Sequence, residues 1–553
     1  MTRKHAPFST TAIVAAVFAA TNAQALEFDL IGTVSPGDDG FGEVVVFDSV
    51  DDSVLVKQET GVQVFTFNAD GSFTSRGALD FSSAFDGLGT SLDGASSTAA
   101  DPLGRGFGAI SLIPDLNGTT PGKVGFYDFR NGALATLSTV DVGFHPDSVA
   151  FSADGSKLFV ANEGEWREDL GGDLDAPGSL SIIDLSGVSS AADLASLTNA
   201  NVSTFDFTAP NLGPGASLDG IRINDLSTTE PYRHIEPEFV SVLGDEVYVS
   251  LQENNALAVF DLTAGRWSAI HDLGTITNTV DASDRDGAAL IDDTVAGLPM
   301  PDTIASFMAD GTKFVVTANE GDANPEDIDI ERVKDLGDVD ATVDQGTVDA
   351  LNAIYGDFTA DENLGRLEIS FIDGDSNGDG DIDVLTGIGT RSFSIWNAES
   401  GDLVFDWGSL EPLLLGLDPD RHNVTDDDPT DFDTRSDAKG PEPEALVLGE
   451  FGGALTLFLG MERQHGILAF SLEDPENPLF LGYINGADDG LLAPESMFFI
   501  PAGMSPTGGA VLLTGFEEAG GAVAAYSVVP VPAALPLLGS ALLGLAGLRR
   551  RRG

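Results

Sequence analysis

Ten acidic side chains recur at matched positions in five related stretches of the chain, and a weaker sixth copy of the stretch begins at Val44. Each stretch opens with a Pro-acid step and a short apolar run, and a second apolar run then ends on another acid. The first column of acids, each directly after a proline, is Asp147, Glu238, Asp302, Glu444 and Glu495. The second column, 15 to 22 residues farther along, is Glu163, Glu253, Glu320, Glu462 and Glu517. Carboxylate oxygens are the preferred ligands of hard divalent cations, Ca²⁺ above all, so these columns are candidate metal ligands.

The chemistry of the two columns depends on whether they converge. Five or more carboxylates gathered at one place repel one another unless a cation or an Arg or Lys side chain offsets them. Convergence therefore predicts bound Ca²⁺. The alternative is that each acid caps a strand or accepts backbone N–H groups within its own repeat, and the sequence leaves both interpretations open.

Positive side chains are scarce, so their positions are informative. Three of them, Arg435, Lys439 and Arg463, lie beside the repeat that begins at Pro441. They are candidates for binding an anionic group such as phosphate, because guanidinium and ammonium groups are the usual partners of phosphate oxygens. The alternative is structural pairing with the neighbouring carboxylates.

A separate acidic loop resembles the first nine positions of an EF-hand calcium loop. Its candidate metal ligands are Asp375, Asn377, Asp379, Asp381 and Asp383. Gly380 allows the turn and Ile382 is the inward apolar residue. Position twelve is Thr386 rather than Glu, so the bidentate ligand is missing, and Asp373 or Asp383 would have to replace it. We predict Ca²⁺ binding here, against the alternative of a solvated acidic loop.

The elements that must position these acids are short strands. Runs rich in Val, Ile, Phe and Leu are separated by Asp-Gly, Asn-Gly and Gly-Gly turns, a pattern typical of hairpins. Repeats of one strand-rich unit predict an all-β fold, a β-propeller. We predict seven blades, with six or eight as alternatives, an acidic insertion at about 322–390, and closure of the ring by Glu27–Val34. Inner strands run along the central channel, so both acid columns are expected at one mouth of it.

Composition excludes several classes of function. The 553 residues carry 26 Lys and Arg against 89 Asp and Glu, a net charge of −63, which opposes nucleic-acid binding and also suits a saline medium. Without cysteine there are no disulfides. Without cysteine or a histidine cluster, a transition-metal site is not expected. No nucleophile elbow, metalloprotease motif or phosphate-binding loop is present, so the catalytic residues are unknown.

The two ends of the chain predict export. Residues 1–25 read as a signal peptide with Arg3 and Lys4, a short apolar stretch and an A-x-A site that ends at Ala25. Residues 529–553 resemble the VPLPA variety of PEP-CTERM sorting tails, with a single transmembrane helix at Ala534–Leu548 before an arginine cluster. The resemblance implies a Gram-negative envelope, processing by an exosortase-type protease, and a membrane contact through this helix before processing. An ordinary tail anchor is the alternative.

Many motifs between these ends resemble the choice-of-anchor I family. They include PDSVAFSADGSKLFVANEGE, IEPEFVSV, MPDTIASF, GDGDIDVLTGIGTRSFSIW and DTRSDAKGPEPEALVLG. The resemblance covers nearly all of residues 28–528, within a predicted propeller domain at 26–528. It implies an exported propeller, similar to the mesenchyme-specific cell surface glycoprotein group and more distantly to YVTN-type and phytase-like propellers.

Two functions remain open at this point. The first is a calcium-binding propeller at the cell surface or outside the cell that binds an extracellular protein or glycan. The second is a Ca²⁺-dependent phosphohydrolase of alkaline-phosphatase or phytase type, with its site at the channel mouth and a phosphoester as substrate. The resemblance implies fold and location better than it implies an activity.

Overall fold

The computed structural model describes residues 25–531, except 37–40, 117, 131–133, 165, 168–173, 224–227, 324–328 and 452. Nearly all of the predicted signal peptide lies outside the described residues. The predicted transmembrane helix of the sorting tail, at Ala534–Leu548, also lies outside them. Within the described part of the chain, no helix is both long enough and apolar enough to cross a membrane.

Seven antiparallel sheets follow one another along the described chain, and we call them blades 1 to 7. The strands, from the channel outward, are as follows. Blade 1 contains Val45–Asp48, Ser53–Gln58, Gly61–Phe67 and Phe73–Asp80. Blade 2 contains Thr98–Ala100, Phe107–Pro114, Lys123–Asp128 and Ala135–Asp141, with Leu92–Gly94 also paired to its second strand. Blade 3 contains Pro146–Phe151, Lys157–Asn162, Ser179–Asp184 and Val202–Asp206. Blade 4 contains Pro237–Leu243, Glu246–Leu251, Ala256–Asp261 and Arg266–Asp272. Blade 5 contains Ile304–Ala309, Thr312–Asn319, Ser392–Asn397 and Leu403–Asp406. Blade 6 contains Pro443–Phe451, Ala454–Met461, Gly466–Ser471 and Leu479–Asn485. Blade 7 contains Pro494–Ile500, Ala510–Phe516, Ala522–Pro530 and Leu26–Val34.

The inner strands form a closed ring. Each inner strand contacts the inner strand of the next blade, and that of blade 7 contacts that of blade 1. Blade 7 is built from both ends of the described chain, because Leu26–Val34 pairs antiparallel with Ala522–Pro530. This is the closure expected from Glu27–Val34. It fastens the ring and covers the edge of the last blade.

Local sequence explains the hairpins and the packing. The turn between the first two strands of blade 5 is Asp310-Gly311, with φ of 48° and 82°, the geometry of a type I′ turn that favours Asp-Gly. Apolar faces of neighbouring blades then bury each other. For example, Phe458 of blade 6 stacks on Phe499 of blade 7 at 5.5 Å between ring centroids. The core is therefore a series of interfaces between blades.

The largest interruption of a blade separates the second and third strands of blade 5, between Asn319 and Ser392. Its elements are Ile330–Arg332, the helix Gln345–Tyr355, Glu368–Ser370 and Thr386–Ile388. Thr386–Ile388 pairs in parallel with Asp293–Leu298, which in turn pairs with Ile276–Val280. Apolar side chains of the insertion, such as Leu336 and Ile369, bury against Val280 and Val295 of the connection between blades 4 and 5. The insertion therefore packs on the propeller.

The remaining described elements are short. They are the helices Ala191–Leu194 and Glu411–Leu417, the strand pair Trp166–Arg167 and Leu174–Asp175, and the 3₁₀ turns Val50–Asp52, Asn199–Asn201, Pro231–His234, Leu336–Val339, Glu462–Gln464 and Ala487–Asp489.

Candidate functional site

Strand direction places both acid columns at one end of the blades. In blades 3, 4, 6 and 7 the first-column acid is the second residue of the inner strand. In blade 5, Asp302 precedes the inner strand Ile304–Ala309. Each second-column acid follows the end of the next strand, which runs antiparallel to the first. Because the start of one strand lies beside the end of its antiparallel neighbour, both acids of a repeat face the same mouth.

The first column lines a cavity of about 640 Å³. Eight carboxylates line it: Glu43, Asp147, Glu238, Asp302, Glu320, Asp322, Glu444 and Glu495. All five first-column acids are among them, whereas Glu320 is the second-column acid that reaches the cavity wall. The lining side chains in the described part of the chain include no Lys or Arg. The cavity is thus lined by acidic side chains within a ring of inner strands.

The other four second-column acids lie behind this surface, because their strand is one position farther from the channel. Glu163 and Glu253 contribute to the electrostatic repulsion felt by Glu238. Glu462 does the same for Glu444, and Glu517 for Glu495. Both columns therefore lie at one mouth, as expected. The first-column acids form an inner layer at the cavity, and these four second-column acids form an outer layer behind it.

Glu43 is a lining residue that the repeat pattern missed. It lies two residues before the inner strand Val45–Asp48 of blade 1, the same offset as Asp302 in blade 5. No proline precedes it, and the weak copy of the repeat in blade 1 begins one residue later, at Val44. Lys57 forms an ion pair with Glu43 and is itself buried.

Carboxyl groups from adjacent blades approach one another closely. One carboxylate oxygen from each of Asp302, Glu320 and Glu444 lies within 4.8 Å of the other two. The carboxyl groups of Asp147 and Glu238 lie close enough to influence each other's pKa, as do those of Glu444 and Glu495.

Burial and mutual repulsion alter the acidity of this ring. Burial, reinforced by Glu320 and Asp147, raises the pKa of Asp302 to about 8. Burial and neighbouring carboxylates also raise the pKa of Glu238, Glu444 and Glu495 well above the usual value for Glu. Without a cation, the ring must hold protons at neutral pH.

The three candidate anion-binding residues surround a buried acid that the sequence reasoning missed, Glu442. Arg435 lies 3.1 Å from it, Lys439 3.1 Å and Arg463 3.3 Å. Glu442 is 0% exposed, and burial alone would raise its pKa, but Lys439, Arg463 and Arg435 together lower the pKa to about 2. The sequence feature that could have pointed to Glu442 is the repeated Pro-Glu pair in Pro441–Glu444.

The same cations also reach other carboxylates. Lys439 donates to Glu320 at 2.7 Å, and Arg463 contacts Asp426 at 2.5 Å and Glu462 at 3.2 Å. The three side chains therefore compensate buried negative charge beside the cavity.

The EF-hand-like loop is exposed and internally hydrogen-bonded. Asp375 accepts backbone N–H groups from Asn377, Gly378, Asp379 and Gly380 at 2.7–3.3 Å, which lowers its pKa. Ile382 is buried at 3% exposure, as its inward position predicts.

The two substitutes considered for the missing ligand of this loop behave differently. Asp383 accepts from the backbone and hydroxyl of Ser376, at 2.9 and 2.7 Å, and so folds back into the loop. Asp373 instead pairs with Arg222 at 2.8 Å. Asp383 is therefore the better placed of the two.

The sequence of this chain is similar to a known protein family and to that of a known protein. A family model described as "Choice-of-anchor I domain" matches residues 43–475. Gigasin-3a from Magallana gigas is 29% identical over 184 residues, which cover 29% of this chain and 63% of that protein. The chain thus spans somewhat less than two thirds of the length of this relative.

Solved structures of low sequence identity also align with the chain. The WD40 domain of coronin from Toxoplasma gondii is 7% identical, with a TM-score of 0.44 and coverage of 93% of this chain and 88% of that one. Hydrazine synthase from Kuenenia stuttgartiensis is 10% identical, with a TM-score of 0.41 and coverage of 93% and 97%. A periplasmic gluconolactonase from Pseudomonas aeruginosa is 16% identical, with a TM-score of 0.41 and coverage of 87% and 99%.

Proposed function

The chain belongs to the choice-of-anchor I family, and from that premise we propose that it is an exported propeller that binds Ca²⁺ at the mouth of its channel. Held at the cell surface or released from it, the propeller then binds an extracellular protein or glycan through the surrounding loops. The proposed location is a Gram-negative envelope, reached by way of the signal peptide at 1–25. The proposed release step is processing of the tail at 529–553 by an exosortase-type protease.

The observation that carries the proposal is the cluster of Asp302, Glu320 and Glu444. Ca²⁺ binds six to eight oxygens at about 2.3–2.6 Å, so two oxygens on one ion lie at most about 5 Å apart. The three carboxylate oxygens already lie within 4.8 Å of one another, from blades 5 and 6. A cation here would replace the protons that the ring otherwise holds and relieve the repulsion between the carboxylates.

A second Ca²⁺ in the loop Asp375–Asp383 belongs to the same proposal. Asp375, Asn377 and Asp379 would supply side-chain oxygens, Asp381 its carbonyl, and Asp383 a further oxygen in place of the missing Glu. Four backbone N–H groups orient the Asp375 carboxylate, and buried Ile382 anchors the loop.

The ion pairs of the cationic side chains favour a binding function over phosphoester hydrolysis. A phosphohydrolase needs positive groups that receive the phosphate. Arg435, Lys439 and Arg463 each form an ion pair with buried Glu442, whose charge they offset. Using them for phosphate would leave a fully buried carboxylate without compensation, which costs several kcal/mol.

The experiment is calcium binding by residues 26–531, measured by calorimetry and equilibrium dialysis. The double variant Asp302→Asn/Glu444→Gln is compared with wild type and with Glu476→Gln, which removes an exposed acid of similar type. We expect the double variant to lose the channel-mouth Ca²⁺ while the control keeps it.

Equal Ca²⁺ stoichiometry and affinity in all three proteins would refute the channel-mouth site. The same preparations are assayed with a generic phosphomonoester and with phytate. Ca²⁺-dependent turnover that the double variant loses would overturn the binding proposal in favour of hydrolysis.

A further inference from the structure

A second cluster of metal-ligating side chains lies in the connections between blades, outside the channel-mouth cavity. Asp281 belongs to the connection between blades 4 and 5, and His422 and Asp433 to that between blades 5 and 6. One ligand atom from each of the three lies within 4.8 Å of the other two, and all three residues are buried. His422 Nε2 is 2.9 Å from Asp281 Oδ2.

Two buried oxygens at this cluster have no hydrogen-bond partner. Asp281 is 0% exposed, and its Oδ1 is unpartnered although its Oδ2 meets His422 and the backbone N–H of Leu290. Asn423 is 1% exposed, its amide nitrogen lies 3.3 Å from His422 Nε2, and its Oδ1 is likewise unpartnered. Leaving a buried acceptor unsatisfied costs about 1–3 kcal/mol, more for a charged group. A ligand that these oxygens bind would remove this cost.

In the described part of the chain, neither Asp281 nor Asp433 forms an ion pair with Lys or Arg, and the ionic partner of Asp281 is His422. Arg391 forms an ion pair with Glu411 at 2.6 Å. Its guanidinium also donates hydrogen bonds to the carbonyls of Asp281, Ser436 and Ala438. Asp286 adds further negative charge nearby.

The donor set indicates the class of ion. An imidazole nitrogen with two carboxylates and an amide oxygen suits borderline divalent ions, whereas Ca²⁺ prefers oxygen ligands alone. We infer that Asp281, His422 and Asp433, with Asn423 as a further ligand, bind one divalent transition-metal ion of the Zn²⁺ or Mn²⁺ type. Ligand bonds of about 2.0–2.2 Å place the donors of one ion about 3–4 Å apart, within the spread of this cluster.

Such an ion would hold in place the segment that carries basic side chains of the channel mouth. The segment 422–440 folds back on itself, since Asp433 N donates to the carbonyl of His422 at 2.7 Å and Arg435 N donates to that of Asn423 at 2.8 Å. Lys439, near its end, reaches Glu320 in the cavity wall. The ion would therefore fasten this segment to the connection between blades 4 and 5.

The test measures transition-metal content in the full chain. The protein is dialysed with Zn²⁺, Mn²⁺ or Co²⁺, freed of loose metal by gel filtration, and analysed by inductively coupled plasma mass spectrometry. The variants are His422→Gln and Asp433→Asn, with His271→Gln, a partly buried histidine of blade 4, as the matched control. We expect one equivalent in wild type and in the control, and a more than tenfold weaker retention in both variants.

Visible absorption of the Co²⁺ form provides a second readout, since its d–d bands report on direct nitrogen and oxygen ligation. These bands are expected to disappear in His422→Gln and to persist in Glu444→Gln, which separates this site from the channel mouth. If His422→Gln fails to fold by circular dichroism, the isosteric Asp433→Asn supplies the same comparison. Wild-type protein without a stoichiometric transition metal, or variants that retain it, would overturn the inference.

Discussion

Calcium removal should make the propeller progressively less stable as pH rises from 5.5 to 7.5. Asp302 and Glu462 have usual pKa values of 3.8 and 4.5, and burial raises both to about 8 in the folded chain. For such groups, the stability contributed by the protonated form is fully present below pH 4. It is lost as pH rises toward about 8, because the folded state binds protons that the unfolded state has already released.

The magnitude follows from the number of protons. For each extra proton that the folded state binds, the free energy of unfolding falls by about 1.4 kcal/mol when the pH rises by one unit. Asp302 and Glu462 together give about 2–3 kcal/mol per unit in this window. The unfolding entropy is about 2.1 cal/mol/K per residue, so for a chain of this size these two groups alone should lower Tm by about 2–3 °C per pH unit.

The assay is thermal unfolding of residues 26–531 between pH 5.5 and 7.5, in EDTA and in millimolar Ca²⁺. We expect the decline in EDTA and a restored Tm in Ca²⁺, with the largest gain at pH 7.5. In the double variant Asp302→Asn/Glu462→Gln, Tm in EDTA should be higher than in wild type at pH 7.5 and should fall less steeply with pH, because Glu238, Glu444 and Glu495 still hold protons. A flat or rising Tm for wild type in EDTA would refute the reasoning, and Glu476→Gln serves as the exposed-acid control.

Three further predictions concern single features. Lys439→Met leaves Glu320 and Glu442 with less compensation, so the free energy of unfolding in urea should fall by about 3 kcal/mol. Deleting residues 26–34 removes eight paired residues from blade 7 and exposes a strand edge, so we expect a loss of about 5 kcal/mol or more, with aggregation detected by light scattering. Asp375→Asn should lower the Ca²⁺ stoichiometry in equilibrium dialysis by one and shift Tm by less than about 1 °C, because the loop is exposed.

The sequence predicted the parts of the site that depend on local pattern. In blades 3 to 7 the Pro-acid step, the inner strand and the hairpin are contiguous, so aligning them located the first column. The sequence pattern was weaker in blade 1 because no proline precedes Glu43. In blade 2, Ser96 and Ser97 stand at the cavity wall in place of an acid.

Parts of the site that depend on long-range contacts or on unusual backbone could not be predicted. Two acids two residues apart, such as Glu442 and Glu444, should share one face of a strand. The backbone at Glu442 instead has φ of 48°, so Glu442 meets the three cations while Glu444 lines the cavity. The cluster of Asp281, His422 and Asp433 joins residues 141 positions apart, and no local pattern marks it.

The distribution of partners bears on whether the first-column acids are structural caps. A cap accepts backbone N–H groups, as Asp375 does four times in its loop. Asp302 accepts a hydrogen bond from the neighbouring Thr303 hydroxyl at 3.0 Å, whereas in the described part of the chain the carboxyls of Glu238, Glu444 and Glu495 have no backbone donor. Glu444 Oε2 is buried with no hydrogen-bond partner.

Lys and Arg side chains, by contrast, pair with other acids near the cavity. Lys439 contacts Glu320, Arg463 contacts Glu462 and Lys57 contacts Glu43. In the described part of this chain, with its 26 basic residues against 89 acidic ones, the five first-column acids form no ion pair with Lys or Arg and are left to protons or an added ion. Because protons leave this ring as pH approaches 8 whereas Ca²⁺ does not, the arrangement favours an ion-binding function over a capping one. The measurement that separates the two is the gain in Tm on adding Ca²⁺ to protein in EDTA, which should grow as pH rises.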